Sequence, residues 1–217
     1  MARIKNGYLG GFSGKLGTGV GYKLYGEDHV RSLPKRHAKF TENEVINMAK
    51  FKLVQDCLEP LKDFIKVGFK DYGTKTGGYR SAVSYTRKVA LVSDDAGFYI
   101  DPALLKVTGG DLPQAITPRV IFEDPMQLKF SWDTTGLHYS IKSDQVMLLV
   151  YNMDVDLEKR KIVSRIFNGV FRHEGTQTIM LPNSFKGKEV DAYIGFVAAD
   201  RSKQSDSQYL GRIAIPE

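Results

Sequence analysis

The chain has 217 residues, of which 42% are hydrophobic and 26% are charged, and its formal net charge is +6. This length allows one large domain or two small ones, and the composition is that of a globular protein. The single cysteine, Cys57, excludes an internal disulfide, and no apolar run approaches the ~20 residues of a membrane-spanning helix.

Charge and glycine are concentrated at the N-terminus. Residues 1–40 contain eight Lys or Arg, two acidic residues and 8 of the 21 glycines, whereas the other 177 residues contain 23 basic and 23 acidic residues. This change in composition predicts three regions: a glycine-rich basic β arm over 1–40, a helical region with a short β-hairpin over 41–112, and a β-sandwich over 113–217.

Alternating residues predict a hairpin in the arm. Val20, Tyr22 and Leu24 share one face of a strand, Gly26 to Asp28 form a turn, and residues 29–33 form the returning strand. Gly17, Gly19 and Gly21 fall on the opposite face. Because glycine in a strand marks the close approach of another backbone, we expect this strand either to pack over the helix of its own chain or to lie against another subunit.

The middle region begins with Thr41 and Glu44 at the spacing of a capping box, followed by an apolar helical stripe. The stripe comprises Phe51, Val54, Leu58, Leu61 and Ile65. Pro60 predicts a kink or a junction between helices, and Cys57 is expected to be a small buried hydrophobe. A shorter helix is predicted over 79–90, followed by strands over 98–100 and 104–107.

Seven short strands at regular spacing follow, which is typical of an immunoglobulin-like sandwich. The predicted strands are 119–122, 127–133, 146–152, 162–167, 176–181, 192–199 and 209–215. The fold class is therefore α+β.

Two resemblances extend this interpretation. Leu128 to Trp132 resembles the second strand of a fibronectin type III domain, which implies a core tryptophan, and Val190 to Phe196 resembles its sixth strand, which implies a tyrosine near the corner. The motifs GGFSGK, VGY and RSLP between Ile4 and Pro34 resemble the opening of an uncharacterised bacterial family of unknown function. That family pairs such an N-terminus with a helical middle and a β-sandwich, and it implies no activity.

Nucleotide-binding motifs do not fit the glycines. Gly10 and Gly14 enclose three residues where a Walker A loop needs four, and Tyr22 stands where a dinucleotide fingerprint needs its third glycine. Among acidic segments, 154–158 could hold calcium, but Lys159 and Arg165 stand where an EF-hand needs glycine and glutamate. The sequence predicts no catalytic, cofactor-binding or metal-binding residues.

These observations favour a non-enzymatic structural or interaction protein that assembles through its arm, with a phage-like or filament-like building block among the compatible forms. The predicted contact residues are Gly17, Gly19, Gly21, Tyr22, Lys23, Tyr25, Arg31, Lys35 and Arg36. A nucleic-acid surface formed by the basic residues with Tyr8, Phe12, Tyr22 and Tyr25 stays open as an alternative partner.

A second alternative is a carbohydrate-binding module on the sandwich, using Tyr139, Tyr151, Phe167 and Phe171, although core packing is the preferred interpretation of these aromatics. The N-terminus lacks the 7–15-residue apolar core of a secretory signal. We therefore expect a cytoplasmic location and leave assembly in a virion or on a cell surface open.

Overall fold

The computed structural model describes residues 3–4, 10–35, 39–70, 72, 77–95, 97–123, 125–153 and 163–217. The chain divides into two compact units, Met1–Val45 and Ile46–Glu217. The first contains a small antiparallel sheet, and the second contains helices and antiparallel sheets. The α+β class is thus confirmed, while the three-part division of the chain stays a prediction.

The first unit contains a four-stranded antiparallel sheet in the order β1-β2-β3-β4. Its strands are Arg3–Ile4 (β1), Phe12–Leu16 (β2), Gly19–Leu24 (β3) and Glu27–Ser32 (β4). The predicted hairpin is β3–β4. Its turn consists of Tyr25 and Gly26, both with positive φ (52° and 89°). A two-residue loop in which both residues have positive φ matches the twist of the flanking strands. Glu27 and Asp28 belong to β4, so the predicted turn bounds were wrong.

The helices are Glu42–Leu58 (α1), Lys62–Gly68 (α2) and Gly78–Tyr85 (α3), the last continued by a π-helical turn over Thr86–Ala90. The capping box is confirmed: the Thr41 amide donates to a Glu44 carboxylate oxygen (2.8 Å), and the Glu44 amide donates to the Thr41 hydroxyl (3.4 Å). Pro60 lies in a 3₁₀ turn, Glu59–Leu61, which separates α1 from α2 as predicted.

The buried side of α1 is shorter than its apolar stripe. Val54, Cys57 and Leu58 are buried, as expected, but Phe51 is 47% exposed. The apolar stripe therefore extends beyond the buried part of the helix. Apolar residues earlier in the helix share this exposure; they are Val45, Ile46 and Met48.

A short hairpin follows the helices, formed by Leu91–Asp94 (β5) and Gly97–Ile100 (β6). The predicted strand over 104–107 is wrong, because Asp101 folds the chain into a turn here. Its side chain accepts a hydrogen bond from the Ala103 amide (2.8 Å), and its carbonyl accepts one from the Leu105 amide (3.1 Å). Aspartate bonding to the backbone two residues ahead competes with strand formation.

The remaining strands form two antiparallel sheets, one with the order β11-β8-β7 and the other β10-β9-β12-β13. They are Ile116–Glu123 (β7), Gln127–Asp133 (β8), Gln145–Tyr151 (β9), Val163–Ile166 (β10), Thr176–Met180 (β11), Glu189–Val197 (β12) and Gln208–Ala214 (β13). Each corresponds to one of the seven predicted strands. The facing sides of the two sheets share one apolar cluster, so they form a β-sandwich.

Trp132 lies in that cluster, 6% exposed, and its indole N–H donates to the Arg172 carbonyl (2.7 Å). The tryptophan prediction is thus confirmed. Tyr193 differs from the corner position that the resemblance implied. It lies in the other apolar cluster, with residues of α1 and α2, and its hydroxyl donates to the Pro102 carbonyl (2.8 Å).

The second unit therefore has three layers. One face of the four-stranded sheet packs against the three-stranded sheet, and the other packs against the helices. Alternate residues of β9 serve the two sides: Val146, Leu148 and Val150 face the sandwich core, whereas Met147, Leu149 and Tyr151 join the helical cluster. Among the helices described, none is long and apolar enough to cross a membrane.

Candidate interaction surface

The glycines of β3 have the alternation that the sequence predicts. Gly19 pairs with Leu16 and Gly21 pairs with Gly14, so both glycines lie on the face opposite Val20, Tyr22 and Leu24. Gly17 does not belong to this row. It occupies the β2–β3 turn with φ +57°, where a left-handed residue is needed, so placing it in the strand was wrong.

A second backbone does approach β3 closely, and it belongs to the same chain. A Cβ atom added to Gly21 would lie 2.2 Å from the Phe12 carbonyl oxygen and 2.6 Å from its ring. β2 reaches this position by bending at Gly14, whose φ is +111°. The bare glycine surface is thus covered by Phe12, which explains why Gly21 is buried in a sheet that is otherwise largely accessible.

The opposite face of the sheet combines aromatic and basic side chains. The Tyr22 and His29 rings stack with centroids 5.6 Å apart, and the Arg31 guanidinium lies 5.7 Å from the Tyr22 centroid. Lys15 is paired with Val20 and therefore shares this face. Cross-strand contacts of this kind align the positive charges along one surface.

The other predicted contact residues are distributed around the sheet. Lys23 lies opposite Asp28 on the glycine face, Tyr25 is 53% exposed in the turn, and Lys35 is exposed beyond β4. Arg36 lies outside the described residues, as do Lys5 and Tyr8. The structure thus places Tyr22 and Arg31 together on one face of the sheet and Gly19, Gly21 and Lys23 together on the other.

The outer edge of β4 carries backbone groups directed away from β3. The Leu33 amide donates to the Thr18 carbonyl (2.7 Å), and the narrow hydrogen-bonded pairs of an antiparallel ladder recur at every second residue. The β4 residues between those pairs are Asp28, Val30 and Ser32. Their N–H and C=O groups face outward, and no described strand pairs with that side.

Several large apolar side chains of the sheet are exposed, and Val30 is the one that belongs to β4. Val30 is 66% exposed, Leu16 56%, Tyr25 53% and Leu24 39%. Leu16 and Val30 lie on the glycine face and Leu24 on the opposite face, so the apolar contact at the open edge itself comes from Val30. The sequence revealed the composition of this surface, but only the strand register identified which residues face outward.

The second unit contains an aromatic groove of about 500 Å³ that sequence reasoning missed. Its lining comes from α1, the β5–β6 hairpin and β13, and comprises Leu53, Cys57, Phe98, Tyr99, Ile100, Pro102, Met153, Tyr209 and Arg212. At one side, buried Asp191 accepts hydrogen bonds from Tyr209 Oη (2.8 Å) and from Arg212 Nε (3.1 Å). Burial, together with the bond to Asp191, raises the pKa of Tyr209 to about 12.

Two other ionisable groups with a shifted pKa, Tyr193 and Asp144, are buried. Burial is the largest cause that raises the pKa of Tyr193, and the same is true of Asp144, although the nearby Arg172 opposes the shift in Asp144. Arg172 also donates to the Pro113 carbonyl (2.8 Å) and lies 4.1 Å from the Phe196 centroid. These contacts tie loops to the sandwich and form a structural network.

The residues considered for metal and glycan binding are an acidic segment and four aromatic side chains. Within the described ranges, no group of three His, Cys, Asp or Glu residues could hold a metal ion, and the acidic segment 154–158 lies outside those ranges. Of the aromatics considered for glycan binding, Tyr151 is fully buried and Phe167 packs against the helical cluster. Tyr139 is 83% exposed.

The sequence matches a family of unknown function, DUF6266, over residues 11–211. The match covers most of the arm, the helical region and almost all of the sandwich, and it confirms the resemblance to an uncharacterised family. A search of curated proteins found no significant match.

Proposed function

Since the chain belongs to the DUF6266 family, whose function is unknown, we propose from its surface chemistry that it is a non-enzymatic protein that assembles through the N-terminal sheet. The occupant of the open β4 edge is the same edge of a second copy. The observation that supports this is the outward row of Asp28, Val30 and Ser32, in which Val30 is 66% exposed. Edge strands of this kind pair readily with another strand.

The edge is complementary to itself in one antiparallel register. With His29 on the two-fold axis, Val30 lies opposite Asp28 of the second copy, and both residues direct their hydrogen-bonding groups outward. In the same register Glu27 lies opposite Arg31 of the second copy, twice in the dimer. Opposite charges directly across a ladder contribute about 0.2–1 kcal/mol per pair. The two sheets would thereby join into one continuous eight-stranded sheet, which suits a building block of a phage-like particle or filament.

Charge reversal tests this register. Glu27→Arg alone and Arg31→Glu alone each place like charges opposite one another, and each is expected to weaken the dimer. The double variant Glu27→Arg/Arg31→Glu restores the opposite pairs and is expected to recover the affinity. Sedimentation equilibrium of the four proteins gives the dissociation constants, and a double variant as weak as the single ones would contradict the register.

A backbone variant tests the hydrogen bonds. Val30→Pro removes an outward-facing N–H without removing a β3–β4 ladder bond, because proline is tolerated on the open side of an edge strand. Val30→Thr keeps the N–H and the β-branched shape and is the matched control. We expect the proline variant to sediment as a monomer and the threonine variant as a dimer. A wild-type chain that stays monomeric while binding oligonucleotides with a steep salt dependence would assign the arm to nucleic acid.

A further inference from the structure

The second unit has a basic pocket of about 530 Å³ that shares no lining residue with the aromatic groove. The pocket lies between α2 and the turn that follows β12, and Phe167 and Asn168 form its third side. Its lining residues are Lys66, Val67, Lys70, Phe167, Asn168, Val197, Arg201 and Gln204. Three of them are cationic and none is acidic.

Two nitrogen atoms in the wall of this pocket lack a hydrogen-bond partner. They are Nε2 of Gln204 and Nη1 of Arg201. Gln204 as a whole is 2% exposed. A buried donor without a partner lowers stability, so proteins seldom retain two such groups in residues of one pocket without a function. Both are donors, and the cations beside them favour an acceptor that carries negative charge.

The backbone around these donors is held firmly. The Ala198 amide donates to the Lys203 carbonyl (2.9 Å), and the Gln204 carbonyl accepts a hydrogen bond from the Leu112 amide (2.9 Å). Arg201 itself has φ +61°, a conformation that is unfavourable for a residue with a side chain. These two hydrogen bonds fix the backbone of the turn that carries Arg201 and Gln204.

Positive charge surrounds the opening. Lys70 Nζ donates to the Arg201 carbonyl (3.3 Å), which places its ammonium at the turn, and the Arg165 guanidinium lies 5.4 Å from the Phe167 centroid. Asp63 partly compensates this charge, since it lies 3.4 Å from Lys66 Nζ and 3.9 Å from an Arg165 nitrogen. Arg201 binds the neutral amide of Gln145 through its second terminal nitrogen.

We propose that this pocket binds a small organic anion, with its phosphate or carboxylate group held by Arg201, Gln204 and Lys70. The body of the ligand is apolar and lies against Val67, Phe167 and Val197, of which Val197 is fully buried in the floor. Ligand sites commonly have this combination of an apolar wall and a few convergent polar groups. The site is independent of the proposed assembly edge.

Titration of the full-length protein with four probes tests the chemical class. We expect phenyl phosphate or benzoate to bind more tightly than inorganic phosphate, which lacks the apolar body, and than benzyl alcohol, which lacks the charge. Whichever of the two anions binds more tightly identifies the preferred group. Absence of binding by both aromatic anions, or equal binding of benzyl alcohol, would overturn the proposal.

Substitutions locate the site. Arg201→Asn keeps a side chain suited to positive φ, and Lys70→Gln changes an exposed residue; each is expected to weaken binding of the preferred anion about tenfold or more, as loss of a charge-assisted hydrogen bond does. Lys186→Gln, an exposed lysine outside the pocket lining, is the matched control and should bind normally. Unchanged affinity in both pocket variants would contradict the assignment.

Gln204→Met supplies a second readout, because methionine has a similar shape but no unpartnered donor. We expect this variant to have a higher melting temperature than the wild type without ligand and a smaller ligand-induced increase. A lower melting temperature in the variant without ligand would show that the Gln204 amide already has a stabilising partner in the wild type. It would therefore contradict the proposal that this amide donates to the bound anion.

Discussion

Strands β3 and β12 are both central strands of antiparallel sheets, yet they are supported in different ways. Eight of the nine residues of β12 are buried, whereas in β3 only Gly21 is. β12 lies between two apolar layers, one of helices and one of strands, and each side removes nonpolar surface from water. β3 depends on ladder hydrogen bonds, ring contacts and the close approach of Phe12.

Regular secondary structure alone therefore does not indicate how much a segment contributes to the stability of the fold. Burial of a large side chain contributes about 1.5–3 kcal/mol, while a ladder hydrogen bond contributes about 1 kcal/mol net. The second unit is therefore stabilised chiefly by side-chain packing. The first unit has few buried side chains, so a partner that covers its open edge would add a large fraction of its stability.

The largest expected effect is at Phe196 in β12. Its ring is fully buried, lies edge-on to Trp132 with centroids 5.6 Å apart, and lies under the Arg172 guanidinium. Phe196→Ala is expected to lower the free energy of unfolding by about 3–5 kcal/mol, because it leaves a cavity in the sandwich core. Urea denaturation measures the change.

Phe51→Ala is the matched control for that variant, since Phe51 is 47% exposed on α1. We expect a loss below about 1 kcal/mol there, as at most accessible sites. Equal losses at Phe51 and Phe196 would mean that the two aromatic residues are buried to a similar extent in solution.

A smaller and local effect is expected at Gly21. Gly21→Ala places a methyl group 2.2 Å from the Phe12 carbonyl, so β2 must move and the N-terminal sheet should lose about 1–3 kcal/mol. In Gly19→Ala the nearest atom would lie at 3.6 Å, an ordinary contact, and the sheet should persist. Hydrogen exchange over β2–β4 measures both, and fast exchange in the Gly19 variant alone would contradict the β2–β3 register.

The smallest expected effect concerns Tyr209, whose pKa is raised to about 12 by burial and by its bond to Asp191. The unfolded chain releases this proton near pH 10, so the folded state is favoured below pH 10 and loses that advantage as the pH rises through 12. Tyr209→Phe is expected to flatten the decline in stability over that interval and to reduce stability at neutral pH by about 1 kcal/mol.

Stability curves of the two proteins between pH 9 and pH 12 provide the measurement, and Tyr139→Phe, at an 83% exposed position, is the control. Parallel curves for wild type and Tyr209→Phe would show that the hydroxyl of Tyr209 is accessible to water and unbonded.

Local signals in the sequence account for much of the fold. Seven sandwich strands, the β3–β4 hairpin, the Thr41 cap and the junction at Pro60 all depend on neighbouring residues, and all are found. Some errors have local causes, such as the turn at Asp101 and the left-handed Gly17, and others arose where distant parts of the chain decide the outcome. Phe51 belongs to an apolar stripe, but the stripe does not reveal where the packing of α1 ends.

The same reasoning applies to the surfaces. The glycine alternation at Gly19 and Gly21 could be predicted from the period of a strand, whereas the bend at Gly14 that covers Gly21 with Phe12 could not. Neither pocket had a motif. The basic pocket combines α2 with a turn more than 120 residues later, and only the folded chain brings Lys70 to Arg201.

The double burial of β9 and β12 has a consequence for cooperativity. The same two strands supply side chains to both apolar clusters. Detachment of either the helices or the three-stranded sheet would therefore expose the apolar side chains on one face of β9 and β12. Residues 46–217 should consequently melt in a single calorimetric transition. A fragment that starts after residue 112 would leave Met147, Leu149 and Tyr193 without cover, and would be prone to aggregate during expression.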